Sequence, residues 1–118
     1  MLTLHHLETS RSHRILWLLE EMGLPYELKR YQRNPQTRLA PPELKAIHPL
    51  GKSPVLTDEG LVLAESAVIL EYIASRFGAQ VPADLTLLLP ASDSALHLPC
   101  RYLLAYAYGS LLNCLLMT

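Results

Sequence analysis

Residues 48–66 read HPLGKSPVLTDEGLVLAES, and the fold turns on how this stretch is divided. Two short apolar runs, PVLTD and LVLAE, flank Asp58-Glu59-Gly60, a strong hairpin signal. A proline stands where the first strand begins, and Glu65-Ser66 opens a third apolar run. In that run, SAVILEYIASRFG, residues Val68, Ile69, Tyr72, Ile73 and Phe77 share one apolar side, and Gly78 ends it. The stretch therefore predicts a strand, a strand and a helix, with a proline and a Glu-Ser pair at the two joints.

Upstream, LTLHHL (2–7) alternates as a short strand. Ser10 or Ser12 can cap the next helix, in which Ile15, Leu18, Leu19 and Met22 fall on one face. Gly23 and Pro25 stop it. YELKRY (26–31) alternates again. A strand, helix and strand this close together predict a right-handed βαβ unit with parallel strands. Residues 32–42 read as a loop with three prolines, and PELKAIHPLG holds at most a short helix. The predicted class is α/β, in the order β-α-β-(α)-β-β-α over residues 1–78. Residues 79–92 turn to Pro, Ala and Leu, as a linker does. Residues 93–117 read as one helix, apolar nearly all round, with Pro99 in its first two turns or at its start. Gly109 weakens its middle by about 1 kcal/mol relative to alanine.

The chain has 118 residues, half of them apolar, and a net charge of −1. That suits a packed domain and argues against nucleic acid as a partner, since phosphate binding needs a basic excess. The local run Lys29, Arg30, Arg33, Arg38 reads as a solvated loop. Cys100 and Cys114 form no C-x-x-C and no metal-ligand spacing. Two thiols in an unstapled chain suit the cytosol, and MLTLHHLE is not a signal peptide. His5 and His6 point to opposite faces of a strand, so no metal site is expected. Residues 102–118 are uncharged, at the lower edge of a membrane span in length. Tyr, Asn, Ser and Gly interrupt them, so no membrane anchor is expected.

Three places carry candidate chemistry. Ser53-Pro54 is an X-Pro bond, the only kind that goes cis at about 0.5–1 kcal/mol. A cis bond there would turn the Ser53 backbone outward to pair with an extended ligand; an ordinary trans proline also fits a strand start. Glu65-Ser66 at a helix N-terminus could hold an ammonium and a carboxylate, and it could equally be a plain cap. In SRSHR (10–14), a serine hydroxyl at a helix start could donate to a thiolate, or could only cap. Lowering a thiol pKa by ~2 units takes ~2.7 kcal/mol, and one hydrogen bond to a charge supplies roughly 1.5–3 kcal/mol.

Taken together and in this order, SRSHRILWLLEEMGLPYE, HPLGKSPVL and ESAVILEYI resemble the glutathione transferase N-terminal domain, which has the thioredoxin fold. The SRSHRILWLLEE form resembles bacterial members. The resemblance implies glutathione as co-substrate, with Pro54 as the family's cis-proline and the Ser53 backbone on the cysteinyl unit. It implies that Glu65 and Ser66 hold the γ-glutamyl group and that Lys52 reaches the glycyl carboxylate. Ser10 matches the thiol-activating hydroxyl of serine-type members, with Ser12 as the alternative. The implied reaction is attack by the glutathione thiolate on a small electrophile, as in detoxification. A cytoplasmic homodimer is expected. Residues 93–118 resemble the first helix of the family's all-helical second domain, so the chain reads as truncated. An inactive or non-catalytic binding module is the competing expectation.

Overall fold

The computed structural model describes residues 1–77 and 93–116; the expected linker at 79–92 lies outside them. The element order is β1 (Leu2–Leu7), α1 (Ser12–Met22), β2 (Tyr26–Tyr31), α2 (Pro42–Ile47), β3 (Val55–Asp58), β4 (Leu61–Ala64), α3 (Ser66–Phe77), α4 (His97–Tyr106), a π-helical turn (Ala107–Leu111) and α5 (Leu112–Leu116). The chain divides into two compact units, Met1–Leu70 and Glu71–Thr118, with the break inside α3. The sequence reading ends the first domain later, at 78.

In the first unit four strands form one sheet in the order β2-β1-β3-β4. β1 pairs parallel with β2, Leu2 opposite Tyr26 and Leu7 opposite Tyr31. β1 runs antiparallel to β3, and β3 to β4. The βαβ unit and the hairpin around Asp58-Glu59-Gly60 thus form as the alternation predicts. β1 is central, which explains why it is almost wholly buried, whereas β2 at the edge exposes Glu27, Leu28, Lys29 and Arg30. Charges along an open edge discourage pairing with another sheet.

Side chains alternate across β1. Leu7 packs with Tyr31, Leu44 of α2 and Val55 in one cluster. On the same face, His5 Nδ1 is 2.9 Å from the Tyr31 hydroxyl and its Nε2 is 3.2 Å from Thr57 Oγ1. The opposite face carries Leu2, Leu4 and His6. His6 meets α1, where Ser12, Ile15, Leu19 and Met22 are buried. Leu18, expected on that face, is only half-buried. α1 ends on Gly23 at φ 65°, with Gly23 N–H donating to Glu20 C=O and Leu24 N–H to Leu19 C=O. This pair of hydrogen bonds back into the last turn is a Schellman cap, and its left-handed position suits glycine.

In the second unit the predicted helix begins at His97, after turns at 93–96, and not at Asp93. Leu96 N–H and His97 N–H are both taken by Ser94, through its hydroxyl and its carbonyl. Pro99 lies in the first turn, where a missing N–H goes unused. Arg101 Nε is 2.9 Å from Glu71 Oε1. The helix loosens into a π-turn at Ala107–Leu111, around Gly109.

Candidate functional site

A cleft in the first unit is lined by Arg11, Leu50, Lys52, Ser53, Pro54, Ala64, Glu65 and Ser66. Five of the residues singled out in the sequence therefore meet around one space, although they come from two separate segments. The β3–β4 hairpin causes this: it carries the chain out from Pro54 and returns it at Ala64, opposite Val55.

The Ser53–Pro54 bond is cis. Pro54 has no N–H, so it interrupts no ladder at the start of β3. The Ser53 hydroxyl is spent inward. It donates to His5 C=O at 3.1 Å and accepts the Leu7 N–H at 3.2 Å. These bonds pin the loop to β1 and hold the Ser53 backbone at the cleft wall. Gly51, at φ 60°, shapes the approach; a Cβ there would lie 3.3 Å from Lys45 Cβ.

Across the cleft, Glu65 has φ 73°. A glutamate in the left-handed region is strained, and such outliers gather at functional positions. Its carbonyl accepts the first helical bond of α3, from Ile69 N–H at 3.0 Å. Its side chain is exposed, while Ser66 is buried. The first amides of a helix have no acceptor within it, so this corner combines N–H donors, a hydroxyl and a carboxylate. It can hold a group carrying both an anion and an ammonium.

Ser10 adjoins this cleft from the β1–α1 loop. Its hydroxyl lies 3.2 Å from Ser53 Oγ, 2.6 Å from Leu7 C=O and 2.7 Å from Ser12 Oγ, and it accepts the Ser12 N–H at 3.3 Å. Ser12 is fully buried and sits behind Ser10, 2.5 Å from His6 Nδ1. Ser10 is half-buried and Ser12 fully so; neither lines the cleft itself, and Ser10 is the nearer, one hydrogen bond from Ser53. Neither serine serves as a conventional cap. Arg11 occupies the cap position without a side-chain bond.

Sequence reasoning missed two arginines. Arg11 lines the cleft and stands between the two serines of SRSHR, the one signal that could have marked it. Arg33, read as part of a solvated basic run, donates to Glu8, Thr9 and Arg38 carbonyls at 2.9–3.1 Å. It clamps the loop that delivers Ser10, where Thr9 has φ 54°.

Burial lowers the pKa of both histidines from the ordinary 6.5. Lys29 adds to the effect at His5. His13 and Arg30 add to it at His6, and Glu8 opposes it. The unfolded chain therefore takes up these protons first as pH falls. This contribution to stability is complete above about pH 6.5 and declines below it, towards the folded pKa values. The denaturation midpoint is expected to drop as pH is lowered from about 7.5 to about 5.5. His5→Asn should flatten that drop, and an unchanged slope would remove His5 as its source.

Among the described residues, no group of three His, Cys, Asp or Glu could hold a metal ion, and no helix is long and apolar enough to cross a membrane.

The family described as Glutathione S-transferase, N-terminal domain, matches residues 1–75. This chain belongs to that family. Among its relatives, glutathione S-transferase 3 of Schizosaccharomyces pombe is 49% identical over 66% of this chain and 31% of its own length. Glutathione S-transferase 1 of Saccharomyces cerevisiae is 39% identical over 94% of this chain and 47% of its own. The crystal structure of a glutathione S-transferase from Actinobacillus pleuropneumoniae superposes with a TM-score of 0.81 at 46% identity. That match covers 92% of this chain and 48% of the bacterial one. The chain thus spans half or less of the length of each of these relatives.

Proposed function

We propose that the cleft binds glutathione and that the chain supplies the glutathione-activating half of a transferase. One observation carries the reading: Lys52, Ser53, Pro54, Glu65 and Ser66, from two segments, line a single cleft next to the Ser10 hydroxyl. In this reading the cysteinyl backbone of glutathione lies along Ser53 as an added strand. The γ-glutamyl carboxylate meets Ser66 and the α3 amides, and its ammonium meets Glu65. The exposed Lys52 reaches the glycyl carboxylate. The thiol then falls near Ser10. Its proton leaves to solvent, and the Ser10 O–H donates to the thiolate. The sulfur lone pair attacks an electrophilic carbon of a small substrate, forming a C–S bond as the leaving group departs.

A second reading has support from Ser10 itself. Its single proton already has an acceptor in Leu7 C=O at 2.6 Å, and a hydroxyl held that way would bind the ligand without activating it. The chain would then be a glutathione-binding module without turnover. Other expectations stay with this proposal. The chain would act as a homodimer, supported by the exposure of Leu98, Tyr102 and Leu103 on α4, since apolar patches of this kind mark association sites. It would reside in the cytoplasm, supported by two free cysteines.

Calorimetric titration of the 118-residue chain with glutathione tests the reading. Binding at millimolar strength or tighter is expected, and no binding by a folded chain overturns it. Turnover of an activated aryl halide with glutathione then separates the two readings.

A further inference from the structure

Behind the cleft lies a line of three polar side chains. His6 Nδ1 is 2.5 Å from Ser12 Oγ, and Ser12 Oγ is 2.7 Å from Ser10 Oγ. Ser12 is fully buried and His6 nearly so. A serine on the buried face of α1, in register with Ile15, Leu19 and Met22, is costly unless it is paired. A plain alanine would serve packing there equally well.

The line holds few protons, and their direction matters. If His6 Nδ1 bears its hydrogen, it donates to Ser12. Ser12 then donates to Ser10, and the Ser10 O–H is directed away from the line, where the Leu7 carbonyl at 2.6 Å and a bound thiolate compete for it. If Nδ1 is bare, Ser12 donates inward to His6, and Ser10 is drawn inward towards Ser12. The tautomer of His6 thus biases the direction of both hydroxyls, in competition with the Leu7 carbonyl, which lies 2.6 Å from Ser10 Oγ and 3.4 Å from Ser12 Oγ. Chained donors polarise one another, so the outward arrangement strengthens the terminal hydrogen bond.

We propose that His6 and Ser12 are positioning residues that orient the Ser10 hydroxyl outward, onto the thiolate of bound glutathione. The inference rests on the reading of Ser10 as the thiolate donor. No proton passes along the line: each hydroxyl keeps its own, the thiol proton goes to solvent, and the negative charge stays on sulfur. The groups facing His6 are His13, whose ring stacks on it at 5.2 Å, Arg30 of β2 and Glu8 after β1. Burial, with His13 and Arg30 outweighing Glu8, disfavours a charged imidazole, so a neutral ring with hydrogen on Nδ1 performs the task.

The test is the pKa of the bound thiol, read from the ultraviolet absorbance of the thiolate in the 118-residue chain saturated with glutathione. A merely structural role for Ser12 would not move it. Ser10→Ala should raise it most. Ser12→Ala, which fits the same space, should raise it by about one unit, or tenfold less thiolate at a fixed pH below the pKa. Glutathione affinity, measured below the bound thiol's pKa where it binds as the thiol, should change less than about twofold. His6→Leu should act like Ser12→Ala. His6→Asn, whose amide can donate from the Nδ1 position, should restore the wild-type value. If His6→Leu fails to fold, Ser12→Ala and His6→Asn still decide. A shift with Ser10→Ala but none with Ser12→Ala overturns the relay and leaves the proposed function standing. A lowered pKa in Ser12→Ala overturns it too, since the protons would then run inward. No shift with Ser10→Ala, or no glutathione binding, removes the Ser10 reading and the relay with it.

Discussion

Calorimetric titration of a Glu65→Ala/Ser66→Ala double variant with glutathione is expected to show no binding, while the variant stays folded. On the proposed reading the two residues, which both line one corner of the cleft, would act by different means. Ser66 is buried at the start of α3; on that reading its hydroxyl and the neighbouring amides would meet the γ-glutamyl carboxylate at the positive end of the helix. A hydrogen bond to a charged group contributes roughly 1.5–3 kcal/mol, about ten- to a hundredfold in Kd. Glu65 is exposed, so its pairing with an ammonium contributes less, about 1 kcal/mol at most. Their sum takes a millimolar site out of measurable range.

Glu65→Gly separates binding from folding. At φ 73° a glutamate stores strain that glycine does not. Relief of about 1–2 kcal/mol exceeds the extra unfolded-state entropy of glycine, about 0.5–1 kcal/mol. This variant should therefore unfold at slightly higher denaturant and still bind glutathione several-fold more weakly. A variant both less stable and fully competent would show that Glu65 serves the fold and not the ligand.

Leu4→Ala should be the most damaging single core change in the first unit. Leu4 is fully buried on the central strand, paired with Leu28 on one side and Leu56 on the other. Truncating a buried leucine costs about 2–5 kcal/mol, a large share of the 5–15 kcal/mol that domains of this kind possess. The denaturation midpoint should fall with the slope unchanged. A loss below about 1 kcal/mol would mean that the neighbours collapse into the space. Because β1 also carries His6 and the Leu7 amide that anchors Ser53, loss of glutathione binding should track the unfolded fraction and not precede it.

Much of this was legible in the sequence, for identifiable reasons. Strand alternation in LTLHHL and YELKRY, and the hairpin signal at DEG, are local, and the sheet formed from them. The cis bond at Pro54 and the meeting of two segments at one cleft came from the resemblance, because a single proline does not declare its isomer. Burial of Ser12 was hidden. A serine near a helix start reads as a cap, and the approach of His6 from a strand, together with Ser10 beside it, makes its burial tolerable. The clamp by Arg33 was hidden for the same reason: its three acceptors are main-chain carbonyls, which carry no sequence signature. The late start of the last helix at His97 was open to reading through Ser94, whose hydroxyl and carbonyl arrest the chain before it.

The π-turn at Ala107–Leu111 bears on how this chain aligns with its relatives. There the Leu112 N–H reaches back to the Ala107 carbonyl, so the turn behaves as a helix into which one extra residue has been spliced. Each residue advances an α-helix by about 100°. A relative whose corresponding helix is regular would match this one only with a single-residue gap near Gly109. Without that gap, every residue of α5 would be compared with a position a quarter-turn or more around the cylinder, and an apolar stripe continuous in space would look scrambled on paper.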